Sequence, residues 1–264
     1  MRGMLLALWH YRHFIFGSIK NEFATRFARS RLGGAWMILH PLAQVAIYAL
    51  ILSAVLSAKL PGIDNQYAYA IYLMAGMLCW SLFAEVFGRC LSVFIDNGNL
   101  IKKMHFPRMA LPLIVTGSAL LNNLLLFTAI LAVFGLLGHL PTVHILWLPL
   151  LALISLALAV GLGLSFGIVN VFMRDIGQIM PIVLQFWFWL TPVVYTTQML
   201  PETYRDAFLL NPMTGVVMGY QNILVYDKAP DLSLLTYPIL LGAGSLVLAL
   251  FLYRRAGEDM ADVL

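Results

Sequence analysis

Residues 109–173 read MALPLIVTGSALLNNLLLFTAILAVFGLLGHLPTVHILWLPLLALISLALAVGLGLSFGIVNVFM, 65 positions without a single Asp, Glu, Lys or Arg. A helix crosses a hydrocarbon layer in roughly 20 residues, so the run is too long for one crossing and long enough for two. Its middle carries Gly135-Leu-Leu-Gly138-His139-Leu-Pro141, a breaker cluster followed by His144. It therefore reads as two spans, at about 110–136 and 146–171. Further charge-free runs fill 32–58 (27 residues), 65–84 (20), 176–201 (26) and 232–253 (22). They place the other spans at about 34–57, 67–92, 177–196 and 235–254, six in all. The fold class is an all-α polytopic membrane protein, one transmembrane domain over 1–264. With 61% hydrophobic and 11% charged residues, a soluble enzyme, a disordered chain and a nucleic-acid binder are excluded despite the net charge of +4.

The few charges set the orientation. Arg2, Arg12, Lys20, Arg26, Arg29 and Arg31 precede the first span; Arg89, Lys102, Lys103 and Arg108 surround the second-to-third connection; Arg174, Arg254 and Arg255 follow. The opposite side has only Lys59, Arg205 and Lys228, beside Asp64, Glu202, Asp206, Asp227 and Asp231. The positive-inside rule puts both termini in the cytoplasm. The N-terminal segment shows no cleavable-signal pattern, so the mature chain is expected to begin near Met1. Cys79 and Cys90 stand about 16 Å apart along one helix, beyond disulfide reach, and read as packing residues.

Three segments are not spans. Over 12–31, Phe16, Ile19, Phe23 and Phe27 form one apolar stripe, with Asn21, Glu22, Thr25 and Arg29 pointing away and Arg12 and Lys20 flanking it. That pattern suits a helix lying in the cytoplasmic interface; a lipid-anchored lead-in with no further role is the plainer version. Between spans two and three, Asp96-Asn97-Gly98-Asn99 is a turn signal. Asn99 is placed to cap a short helix that Pro107 ends, with Leu100, Ile101 and Met104 on its apolar side and Lys102 and Lys103 on its basic side. A soluble partner can grip such a peg; an ordinary basic loop would explain the lysines alone. The 36 residues from Thr196 to Asp231 exceed a simple connector. Pro201-Glu202 opens one short helix, and Met213–Val225 reads as a second, too short to span but able to re-enter, which suggests an external gate or a plain cap.

Several chemistries lack their residues. The chain has no G-x-x-x-x-G-K-[ST] loop, no metal-ligand spacing among its six histidines and no nucleophile elbow. Ion-coupled carriers place ionisable groups near the midplane, whereas the only charges inside a span are Glu85 and Arg89, at i, i+4 near the cytoplasmic end. Energy must come from a partner, or transport is passive. The spans carry aromatic and amide side chains at helical spacing instead: Tyr69, Tyr72, Trp80, Phe83 and Phe87 on the second; Gln178, Gln185, Phe188, Trp189 and Tyr195 on the fifth; Trp36, His40, Gln44 and Tyr48 on the first. Aromatic faces stack on sugar C–H faces while amides and hydroxyls bond sugar edges, so these are candidate glycan-channel residues. Ordinary helix packing and interfacial belts are the alternative. Gly163 and Gly167 form a G-x-x-x-G packing motif.

Ser30-Arg-Leu-Gly-Gly-Ala-Trp-Met-Ile-Leu-His-Pro41 resembles the start of the membrane (permease) subunits of type-two ABC exporters for polysaccharides. Leu100-Ile-Lys-Lys-Met-His-Phe-Pro-Arg108, Val171-Phe-Met-Arg-Asp-Ile176, and Leu190-Thr-Pro-Val-Val-Tyr195 with Leu200-Pro201 and Asn211-Pro212 match that family in the same order. The similarity spans nearly the whole chain and is nearest to the O-antigen (Wzm-like) branch, beside capsule and teichoic acid exporters; a small-lipid or drug exporter of the same family is an alternative, and a polytopic glycosyl- or acyltransferase would need clustered carboxylates or His at one membrane face, which the chain lacks. The resemblance implies a homodimer bound to two copies of a separate ATPase that holds ATP and Mg, with no cofactor or metal in this chain. It implies a channel at the dimer axis passing undecaprenyl-pyrophosphate-linked glycan across the bacterial inner membrane. It maps an interface helix to 12–31, a coupling helix to 99–106 and gate helices to 201–224. The ATPase-coupling residues are then Leu100, Ile101, Lys102, Lys103, Met104, Phe106, Arg174 and Asp175. Arg29, Arg31 and Arg89 are candidates for the lipid pyrophosphate, because guanidinium binds phosphate through a bidentate fork.

Overall fold

The computed structural model describes residues 9–27, 68–103, 109–199, 201–257 and 259–263, with scattered positions between 35 and 47. Among the described residues the structure is helical and contains no strand. The helices are α1 (Arg12–Phe27), α2 (Ala68–Asp96), α3 (Gly98–Lys103), α4 (Ala110–Leu136), α5 (Leu148–Phe172), α6 (Ile176–Leu190), α7 (Glu202–Leu209), α8 (Pro212–Leu224), α9 (Leu232–Ala256) and α10 (Asp259–Val263), with 3₁₀ turns at Val143–Trp147 and Thr197–Met199. Four of them, α2, α4, α5 with its preceding turn, and α9, are long and apolar enough to cross a membrane. The expected first span, 34–57, falls largely outside the described residues.

The breaker cluster at 135–141 acts as its composition dictates. α4 ends at Leu136, Gly138 takes a positive φ of 70°, and the chain turns into α5. α5 lies between α9 and α2, which it touches most extensively; α2 in turn meets α4 and α8, and α1 lies on α4. α2 is buried over most of its surface, whereas α4 and α9 bury only a stripe, as helices facing lipid do. Glycine sets the closest approach. A Cβ at Gly167 would stand 2.5 Å from the Cys90 carbonyl oxygen, and one at Gly163 2.8 Å from that of Phe87, so the G-x-x-x-G face brings the α5 and α2 backbones together. Cys79 and Cys90 are free, fully buried thiols within this packing.

Two expected elements have different limits. The fifth helix, expected over 177–196, stops at Leu190, because Pro192 removes an N–H and drives Thr191 into an extended conformation (φ −103°, ψ 135°). At 15 residues α6 is about 22 Å long, short of the ~30 Å hydrocarbon core. The segment that follows, Thr191–Val194 and Thr196, is buried and non-helical, and its backbone carbonyls are met by side chains. Tyr69 donates to the Val194 carbonyl (2.5 Å), Tyr72 to those of Tyr195 (2.9 Å) and Pro192 (3.2 Å), and Gln221 to Pro192 (2.9 Å). Irregular backbone at membrane depth persists only when enclosed by protein in this way. The short helix after Asp96 begins at Gly98, so Asn97, whose carbonyl accepts from the Leu100 and Ile101 amides, holds the place expected of Asn99. Positions 104–106, its expected last turn, lie outside the described residues.

Candidate functional site

Of the expected channel residues on α2, none is open to a passage. Tyr69, Tyr72, Trp80, Phe83 and Phe87 are all buried, the last two completely. Their shared face is the seat of α6: Trp80 meets Phe188 (5.6 Å between ring centres), Phe83 meets Trp187 (5.1 Å), and Phe87 meets Phe166 of α5 (6.1 Å). In this conformation these side chains touch their own chain. A helical aromatic stripe has the same spacing whether it faces a partner helix or a passage, and edge-to-face rings pack well. Phe188 is likewise buried, and Tyr195, half-buried, donates its hydroxyl to the Trp189 carbonyl (2.8 Å).

The opposite face of α6 is open. Gln178, Gln185 and Trp189 are exposed, and so is Phe186, which is 68% accessible and one turn from Trp189. Phe186 was not among the residues expected from sequence; its signal was an aromatic beside Gln185 and at i−3 from Trp189. Ile179, Ile182, Val183 and Leu190 complete this apolar, amide-bearing surface. Trp36 and His40 are also exposed, while Gln44 and Tyr48 lie outside the described residues. Asn211 anchors the end of α6 to the helices beyond. Its side-chain oxygen accepts from the Met213 amide (3.0 Å), capping α8, and from the Trp187 indole (2.8 Å), and its amide donates to Thr191 Oγ1 (2.9 Å) and the Leu190 carbonyl (3.1 Å). α7 and α8 fill the range expected for the paired gate helices.

At the other end, Arg89 is not free. Its guanidinium pairs with Glu22 of α1, lies 3.6 Å from Glu85, and donates to Ser118 Oγ (3.2 Å) and the Val115 carbonyl (3.5 Å) of α4. Glu85 also accepts from Asn122 (2.8 Å). Glu22 turns inward to meet Arg89, whereas Phe16 of the apolar stripe is 69% exposed, as a side chain meeting lipid would be. Ile19 of the same stripe does face the protein, pressing on Gly117. Phe14, Ser18, Glu22, Arg89, Asp96 and Leu100 border a cleft of about 390 Å³ there. Arg29 and Arg31 lie outside the described residues.

On α3, Ile101 is buried in the protein's own core, Leu100 is half-buried and Lys102 is exposed; α10 packs beside it. The apolar side of the peg is therefore used partly at home. Lys103 closes the helix, and Met104 and Phe106 lie outside the described residues. Arg174 and Asp175 are exposed at the α5–α6 turn, which Asn170 ties to α2 by donating to the Leu91 carbonyl (3.1 Å) and accepting from the Gly177 amide (2.8 Å). A third polar group lies on the α4–α5 connection. Asp227, at φ 51°, accepts from the Thr142 hydroxyl (2.5 Å) and lies 3.3 Å from His144 Nδ1. The Thr142 hydrogen bond, with His144 helping, holds the Asp227 carboxyl below its ordinary value of 3.8.

Four helices long and apolar enough to cross a membrane, with shorter helices packed at their ends, define a polytopic membrane protein. The family described as ABC-2 type transporter (ABC2_membrane) matches residues 14–225. The O-antigen export system permease protein RfbA of Myxococcus xanthus is 30% identical over 233 residues, 88% of this chain and 87% of that protein. A protein of the same description from Klebsiella pneumoniae is 27% identical over 206 residues (78% and 77%), and the polysialic acid transport protein KpsM of Escherichia coli 24% over 244 (91% and 92%). The chain belongs to the ABC-2 type transporter membrane family. Its relatives are permease proteins, so it is a membrane-embedded transporter component and not an enzyme, and the family implies an ATPase partner.

Proposed function

We propose that this chain is the membrane subunit of an ATP-driven exporter that carries lipid-linked polysaccharide, O-antigen in the first instance, across the bacterial inner membrane. The observation that carries this reading is the open face of α6. A short helix held against the core by one aromatic face presents Gln178, Gln185, Phe186 and Trp189 on the other. Two copies facing each other through α6 would form a passage walled by aromatic rings and amides, which grip sugars weakly and repeatedly. Relatives named for O-antigen export at 26–30% identity, against 24% for the polysialic acid transporter, favour O-antigen over capsule.

In this mechanism both termini are cytoplasmic, six spans cross, and two ATPase copies holding ATP and Mg press on α3 and on Arg174 and Asp175. Lys102 and Leu100 present the contact, and Ile101, rooted in the core, carries the push into α2. Arg29 and Arg31 attract the lipid pyrophosphate, while Arg89 acts as the tie that couples α1 to α2 and α4. α7 and α8 gate the exit, and Asn211 transmits motion of α6 to them. Deleting the chain and locating the glycan tests the function. Full-length lipid-linked polysaccharide retained in the cytoplasm is the expected result; loss of its synthesis, or normal surface display, would overturn the reading.

A further inference from the structure

Near the Tyr72 end of α2, about 36 Å along the helix from Asp96 at 1.5 Å per residue, a second cavity opens between α2, the Thr196–Gln198 segment and α8. It measures about 370 Å³, within the range of roughly 300–1,000 Å³ typical of small-ligand sites. Its wall differs from the rest of the molecule in chemistry. Tyr72, Thr196, Gln221, Asn222, Tyr226 and Lys228 all face it, and no Asp or Glu is among the described residues lining it. Two of these groups are committed to the backbone: Tyr72 to the Tyr195 carbonyl and Gln221 to that of Pro192, which makes a rigid floor. Thr196 is 6% exposed, and its hydroxyl has no hydrogen-bond partner among the described residues. A buried hydroxyl left unmatched is costly, and this one borders the cavity, where a bound hydroxylated ligand would satisfy it. The Asn222 amide, Tyr226 hydroxyl and Lys228 ammonium add donors round the same space with no side-chain acceptor among the described residues.

We propose that this cavity binds a single sugar residue bearing an acidic group, holding it beside the exit away from the α6 face. Thr196, Asn222 and Tyr226 meet its hydroxyls, the Tyr226 ring and Met218 supply the apolar wall, and Lys228 at the rim takes the carboxylate. The choice of a sugar over another hydroxylated anion rests on the export reading above; the cavity, its donors and its cation do not.

The test uses the full-length chain in lipid nanodiscs, with D-glucuronate and D-glucose as probes and saturation-transfer NMR titration as the readout. Glucuronate is expected to bind the parent chain, glucose about three-fold more weakly, as one rim ion pair allows. Lys228→Ala abolishes that preference, and Thr196→Val weakens both sugars. Thr196→Val exchanges an unpartnered buried hydroxyl for a methyl group of the same shape, so its thermal unfolding midpoint stays level or rises and its binding can be read. No binding to the parent chain, equal binding of the two sugars, or titrations unchanged in both variants would overturn the proposal. Because the titration needs neither ATPase nor export, its failure leaves the export reading standing, and failure of export leaves the titration interpretable.

Discussion

Arg89 and Asp227 are the residues on which the polar architecture turns. Arg89 holds Glu22 and Glu85 in a half-buried cluster, so Arg89→Ala removes the cation that two carboxylates share and is expected to cost about 1–3 kcal/mol. Glu22→Gln alone should cost less, and in a double-mutant cycle the combined change should fall short of the sum by about 1 kcal/mol. Thermal unfolding in detergent measures both; additive effects would mean that the pair is not formed. The pairing of Glu85 with Arg89 is legible from the i, i+4 spacing, but the third member is not, because Glu22 is 67 positions away from Arg89 and reads as solvent-facing on its own helix. Asp227 gives a pH dependence of known sign. Its folded carboxyl titrates below 3.8, so the clasp to Thr142 and His144 contributes fully above the unfolded value and is lost as pH falls through the folded one. The unfolding midpoint should drop as pH falls below the ordinary carboxylate value, and less so in Asp227→Asn, which keeps an oxygen acceptor and tolerates the positive φ. Equal acid sensitivity in both proteins would remove Asp227 from the clasp.

At the scale of elements, hydrophobic run length and breakers located α2, α4, α5 and α9 to within a few residues. The limits they gave wrongly have local causes. α6 was overextended because apolar content continues past Leu190 while Pro192 ends the helical backbone. On α2 the spacing of the aromatic stripe defines a face without saying what it meets. α5 and α2 come together through glycines that sequence did read, and Gly167→Ala should push the backbones apart at the Cys90 carbonyl, at a cost of about 1–3 kcal/mol. A melting curve unchanged by that substitution would mean that the two helices can separate without penalty. The Asn211 hub joins α6 to α8, and its loss in Asn211→Ala removes a cap and three further hydrogen bonds. About 1–2 kcal/mol for the cap alone sets the lower bound expected in the same assay.

For the whole molecule, the membrane class followed from the scarcity of charge, and the family from four ordered motifs together with chain length. What could not be read was which faces remain open once the chain has packed, since that depends on contacts between residues more than a hundred positions apart, such as Tyr72 with Pro192 and Tyr195. Packing buries the α2 part of the expected glycan face and leaves the α6 part, with Gln185 and Trp189, open on the far side, where two copies of the chain would meet. Single cysteines at Phe186 and at Val247, an exposed position on α9, distinguish the two surfaces in a chain whose native Cys79 and Cys90 are buried and unreactive. The direct measurement is cross-linking of each variant in membranes with a short bis-maleimide, in the presence of the partner ATPase. Phe186→Cys is expected to give a covalent dimer and to block surface display of polysaccharide when linked, with Val247→Cys remaining monomeric. A dimer through position 247 with none through 186 would contradict the placement of the passage between two α6 helices.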